Sequence, residues 1–149
     1  MKALFLILAA FALTSCASPA PATRTSSSPD DIQVTFRNTS LDVVLAKLGK
    51  KCSQIGAAVT EKSPDYILCA RRLSDTDAAL VNIPAETVIA TKPENKMKFT
   101  ASKSGNDVNV VAQQWAQTKS KSGEISRVDM THARQKANML KILMSMGAI

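Results

Sequence analysis

Residues 96–115 read KMKFTASKSGNDVNVVAQQW, and this stretch decides the fold. Met97, Phe99 and Ala101 alternate with Lys96, Lys98 and Thr100; past Lys103-Ser104-Gly105-Asn106, Val108, Val110 and Ala112 alternate with polar neighbours toward Gln117. Successive side chains of an extended chain point to opposite faces, so each run has one apolar and one polar side. Glycine and asparagine between two such runs supply the backbone freedom of a tight turn. The spacing predicts a long β-hairpin, half buried, whose apolar face needs covering by helices. Trp115 falls with Asn109, Val111 and Gln113 on the other side. Asn109, Gln113 and Trp115 are therefore the candidate partner contact, with Trp115 either an exposed aromatic or a rim residue shielding the sheet edge.

Toward the N-terminus, Ile32, Val34 and Phe36 alternate with polar residues over 31–36, the pattern of a half-buried strand. Asn38-Thr39-Ser40 offers side chains that cap a helix start. Leu41, Val44, Leu45, Leu48, Cys52 and Ile55 then recur at three- and four-residue steps, one apolar stripe on a helix, and Gly56 is placed to end it. Residues 57–61 and 66–72 read as two strands joined by the turn Lys62-Ser63-Pro64-Asp65. Residues 74–95 are the least regular: 77–83 suits a short helix or a strand, Pro84 and Pro93 interrupt, and one strand is expected near 87–91.

Toward the C-terminus, Ser126-Arg127-Val128-Asp129 resembles a capping box with Asp in the place of Glu or Gln. A long helix is expected over 128–146, its apolar side marked by Met130, Ala133, Ala137, Leu140, Leu143 and Met144, with Gly147 ending it. Met139, Met144 and Met146 are either core or an adaptable binding surface. The fold class is thus α+β: an antiparallel sheet of about 4–6 strands with a helix on its N-terminal side and a long C-terminal helix, both packed on one face.

The first residues carry a different signal. Lys2 precedes the apolar run ALFLILAAFALTS at 3–15, which has the layout of a secretory leader and is too short to span a bilayer. Leu13-Thr14-Ser15-Cys16 at its end resembles a bacterial lipobox, in which the cysteine is acylated and becomes the first mature residue. The resemblance implies lipidation of Cys16, with Ala17 rather than Asp behind it implying delivery to the outer membrane. Residues 16–30 are rich in Ser, Pro, Ala and Thr and poor in bulky apolar side chains, so they read as a tether. The domains are then 1–15 signal peptide, 16–30 lipidated tether and 31–149 a single folded domain.

Cys52 and Cys69 remain once Cys16 is acylated. A helix packed on the strand over 66–72 brings them near each other, and an oxidising envelope favours a disulfide, worth about 3 kcal/mol for a loop of this length. Two buried free thiols are the alternative. A metal pair finds no further ligands, since His132 is the only histidine.

The chain carries 19 basic and 12 acidic residues, a net charge of +7, in 149 residues. The basic residues are scattered, and Trp115, Tyr66 and four Phe, of which Phe5 and Phe11 lie in the leader, form no stacking platform, which argues against nucleic-acid binding. The five glycines make no phosphate-binding loop, the serines have no partnered base, and the acidic residues suit helix starts and loops. No catalytic set and no cofactor is expected.

The order of elements, with VTFRNTS before the first helix and the hairpin KMKFTASKSGNDVNVVAQQW, resembles the helix-grip domains of small outer-membrane lipoproteins, the BamC-like plan, over residues 31–147. The resemblance implies fold and location, with function by analogy alone. IQVTFRNTSLDVVLAKLGKKC is also similar to the opening of small periplasmic domains of secretins and secretion-system lipoproteins. The expected function is a non-catalytic interaction module, held in the outer membrane by its lipid and facing an envelope protein partner. A component of a secretion or conjugation apparatus, a phage-encoded lipoprotein, and a binder of a small apolar ligand or lipid are the alternatives.

Overall fold

In the computed structural model, which describes residues 31–74 and 92–149, the elements follow in the order β1 (Ile32–Phe36), α1 (Leu41–Gln54), β2 (Ala58–Lys62), β3 (Tyr66–Arg72), β4 (Glu94–Ser104), β5 (Asp107–Lys119), β6 (Ile125–Asp129) and α2 (Ala133–Met144). The leader, Cys16, the tether, the helix or strand expected over 77–83 and the strand expected near 87–91 lie outside the described residues.

The hairpin forms as its alternation requires. β4 and β5 pair from Glu94↔Gln117 to Ser104↔Asp107, leaving Gly105 and Asn106 as a two-residue loop. Gly105 holds φ 62° at the first loop position, where a side chain would be strained and where type II′ hairpin turns place glycine. The hairpin is the spine of an open, antiparallel six-stranded sheet of order β1-β5-β4-β3-β2, with β6 also on β5. β5 is long enough to take two partners on one edge: β1 pairs with Val108–Ala112 and β6 with Trp115–Lys119, so β1 and β6 lie end to end.

Both helices cover the same face. Val44, Leu45, Leu48 and Cys52 of α1 and Met139 and Leu143 of α2 join one core with Phe99, Val108, Val110 and their neighbours on the sheet. The class is α+β with a helix-covered antiparallel sheet, and the apolar stripe read for the first helix is the stripe that is buried. Ser40 occupies the N-cap position in extended conformation, but its hydroxyl makes no capping hydrogen bond; its carbonyl accepts from Val44 N–H at 3.1 Å.

Two expectations are corrected. Ser126-Arg127-Val128-Asp129 is not a helix start but part of β6. Beyond Ala112 the edge of β5 has no β1 to pair with, and an added strand satisfies those backbone groups. The last helix is therefore shorter, Ala133–Met144, with Met130 before it, donating its N–H to Gln114 C=O at 2.9 Å. Its buried side is also rotated from the stripe expected. Met139 and Leu143 point inward, whereas Ala133, Ala137, Leu140 and Met144 are exposed. Met139, Ile142, Leu143 and Met146 make an equally good helical stripe, so periodicity permits either side. The docking of the C-terminal end on β1 selects one, through reciprocal Thr35–Ile149 backbone bonds of 3.0 and 2.9 Å and the buried Ala148.

This register is testable. Met139 is 2% exposed and Leu140 39%. Met139→Ala is expected to cost about 2–5 kcal/mol and Leu140→Ala under about 0.5 kcal/mol in urea unfolding, and the reverse order would contradict the placement of α2.

Candidate functional site

The site is built by what holds α1 and α2 apart. The Sγ atoms of Cys52 and Cys69 lie 2.05 Å apart, disulfide-bonding distance, with their Cα atoms 6.2 Å apart. Cys52 is in the last turn of α1 and Cys69 in the middle of β3, so the pair holds the end of this helix over that side of the sheet. α2 packs on β1, at the opposite edge. Between them, among the described residues, the helix-facing side of β3, β4 and β5 lines a groove of about 680 Å³.

Three strands supply the floor. Cys69, Met97 and Gln114 stand in register, as do Arg71, Asn95 and Ala116. Met97 and Leu73 are buried there, and Asn95, 5% exposed, accepts a hydrogen bond from Gln114 Nε2 at 3.0 Å. Met139 and Ile142 of α2 and Ile55 after α1 add apolar wall. The rim is cationic: Lys51 from α1, Arg71 from β3, and Arg134 and Lys141 from α2, with no carboxylate or imidazole among the described lining residues. None of the four enters an ion pair among the described residues. Gln135, also on the wall, has its amide oxygen buried with no hydrogen-bond partner among the described residues.

The other sheet face carries the contact residues expected from the sequence. Asn109 is exposed and accepts a hydrogen bond from Thr35 Oγ1 at 2.9 Å. Gln113 is half-buried and donates from Nε2 to both carboxylate oxygens of Asp31, at 3.1 and 3.2 Å. Trp115 lies on their side of β5 but is not an exposed aromatic: it is 8% exposed. The Arg127 guanidinium stacks on its ring 4.1 Å from the centroid and ion-pairs with Asp129 at 2.7 Å, and Trp115 Nε1 donates to Gln117 at 3.3 Å. Arg127 reaches the ring because β6 runs beside this part of β5; read as a helix start, it could not supply that cover. Farther along the face, Tyr66 donates to Glu61 at 3.2 Å under Lys98, 4.6 Å from the ring centroid. That hydrogen bond and the Glu61 charge hold the Tyr66 phenol above its usual pKa.

Sequence reasoning missed the groove because its cations come from distant segments. One signal was present: Asn95 and Gln114 occupy the apolar phase of the two hairpin strands, where Met97, Phe99, Val110 and Ala112 lead the eye to expect hydrocarbon. Polar residues in a buried phase mark a place where the sheet is not closed by hydrocarbon alone. Among the described residues no group of His, Cys, Asp and Glu could hold a metal ion, and no helix is long and apolar enough to cross a membrane. Comparison with protein-family models, curated proteins and solved structures finds no match to the chain.

Proposed function

We propose that this chain is a lipoprotein of the bacterial outer membrane, anchored through acylated Cys16, whose helix-grip-like domain acts by binding rather than by catalysis. The Leu13-Thr14-Ser15-Cys16 box behind its apolar run supports the anchor, and the tether gives the domain reach from the bilayer. The paired Cys52 and Cys69 fit an oxidising compartment. The observation that carries the binding role is the groove between α1 and α2, partly apolar and rimmed by one charge sign among the described residues. The sheet face at Asn109 and Gln113 is the proposed docking side for an envelope protein, with Trp115 bracing it from beneath Arg127.

Expressed in a bacterium with an inner and an outer membrane and fed alkyne-palmitate, the wild-type chain is expected to take up label and fractionate with the outer membrane. Cys16→Ala is expected to lose the label and leave the membrane fraction. An unlabelled soluble wild type, or a labelled Cys16→Ala, contradicts the proposal. Crosslinking in intact cells is expected to capture a reproducible envelope protein, and its loss on Asn109→Arg would assign the docking side.

A further inference from the structure

Resting on the binding role proposed for the domain, we infer that the groove between α1 and α2 binds one single-chain anionic lipid, its hydrocarbon along the half-buried Ile55 and Ile142 over the buried Met97, and its head group among Lys51, Arg71, Arg134 and Lys141. The volume of about 680 Å³ lies within the range of small-ligand sites, about 300–1,000 Å³. Three of the lining residues, Met97, Met130 and Met139, are methionines, whose unbranched thioethers adapt to a flexible chain.

The charges decide the class of ligand. Lys51 and Lys141 lie in the last turns of their helices, where the helix dipole favours a cation, so their positions are explained without a ligand. Arg71 and Arg134 are not so explained. Arg134 is in the first turn of α2, the end that disfavours a cation, and that turn holds no acidic residue. Arg71 stands on the helix-facing side of β3, in the phase of the buried Ile67 and Cys69. Arg134, set against the dipole of its helix, and the exposed Arg71 are both favoured by an anion held on the rim. Arginine binds a carboxylate or phosphate through two donors at once, which suits a head group.

The rest of the groove selects hydrocarbon behind that head group. An acidic peptide would need partners along its length for backbone N–H and C=O groups, and the floor offers only Asn95 and Gln114, which already share one hydrogen bond. A nucleic acid would want aromatic rings to stack on, and Trp115 and Tyr66 are on the opposite sheet face. An acyl stem asks for neither.

The test uses the full chain with Cys16→Ser, so that no acyl group of its own competes, and laurate below its micelle concentration. Calorimetric titration is expected to show one laurate per chain, with about tenfold or more weaker binding to Arg71→Glu/Arg134→Glu. The control Lys103→Glu/Lys121→Glu, exposed residues away from the groove, is expected to bind as the parent does. Dodecylphosphocholine, with the same chain length and a zwitterionic head, is expected to bind about tenfold or more weaker than laurate. If the glutamate pair fails to fold by circular dichroism, Arg71→Gln/Arg134→Gln decides, with an expected loss of about threefold or more. No laurate binding, an equal loss in the control, or equally tight dodecylphosphocholine overturns the inference. The titration involves no membrane, so its failure leaves the Cys16 anchor to the labelling experiment.

Discussion

Phe99→Ala is expected to lower the unfolding free energy by about 3–5 kcal/mol. Phe99 is 2% exposed in the central strand β4, in register with Ile67 on one side and Ala112 on the other. Its ring belongs to the core that both helices close over. Truncation removes the transfer energy of the ring and leaves a hole that flanking strands, fixed by their ladders, cannot collapse to fill. Against a total of about 5–15 kcal/mol for an ordinary domain, the loss takes a large share of the folded population. Urea unfolding of the full chain measures it, and a loss below about 1 kcal/mol would mean that the hairpin does not form the middle of the core.

Opening the Cys52–Cys69 link is expected to cost about 3 kcal/mol, the chain-entropy value for a loop of this size. The two cysteines are 17 residues apart, and both are buried, so the link restricts the unfolded chain while their side chains pack in the core. Cys52→Ala/Cys69→Ala is expected to shift the urea midpoint down by an amount that matches reduction of the wild type by dithiothreitol. The double variant itself is expected not to respond to reductant. A wild type whose midpoint ignores reductant would mean that the cysteines are not bonded in the purified protein. Looser attachment of α1 also frees Lys51 and Ile55, which frame one side of the groove, so ligand affinity is expected to fall with the link.

Alternation made most of the sheet legible. The strand over 32–36 and the hairpin follow a period of two that no helix can satisfy, 66–72 is a short apolar run behind the turn at 62–65, and the first helix has a single stripe with a glycine behind it. The C-terminal third was less legible for two physical reasons. Ile125-Ser126-Arg127-Val128-Asp129 is short and exposed on alternate residues, so its strand character comes from the unpaired edge of β5 rather than from its own composition. The last helix has apolar residues on more than one side, and its buried side is chosen by contacts at Thr35 and Ile149. Both errors bear on the site. Without β6 there is no Arg127 over Trp115, and with the wrong side of α2 inward the cations Arg134 and Lys141 do not turn toward the groove. The pairing of Cys52 with Cys69 was legible because the helix stripe placed Cys52 inward and Cys69 fell in the middle of a strand that the helix would cover.

A bridged domain tethered to a bilayer by one acylated residue is the state proposed for this protein. Intact-mass analysis of the protein purified from membranes of its bacterial host tests it most directly. The predicted mass is that of residues 16–149 with fatty acyl groups on Cys16 and two hydrogens fewer for the joined Cys52 and Cys69. A mass that retains residues 1–15, or that leaves the sulfur of Cys16 unmodified, would contradict the account.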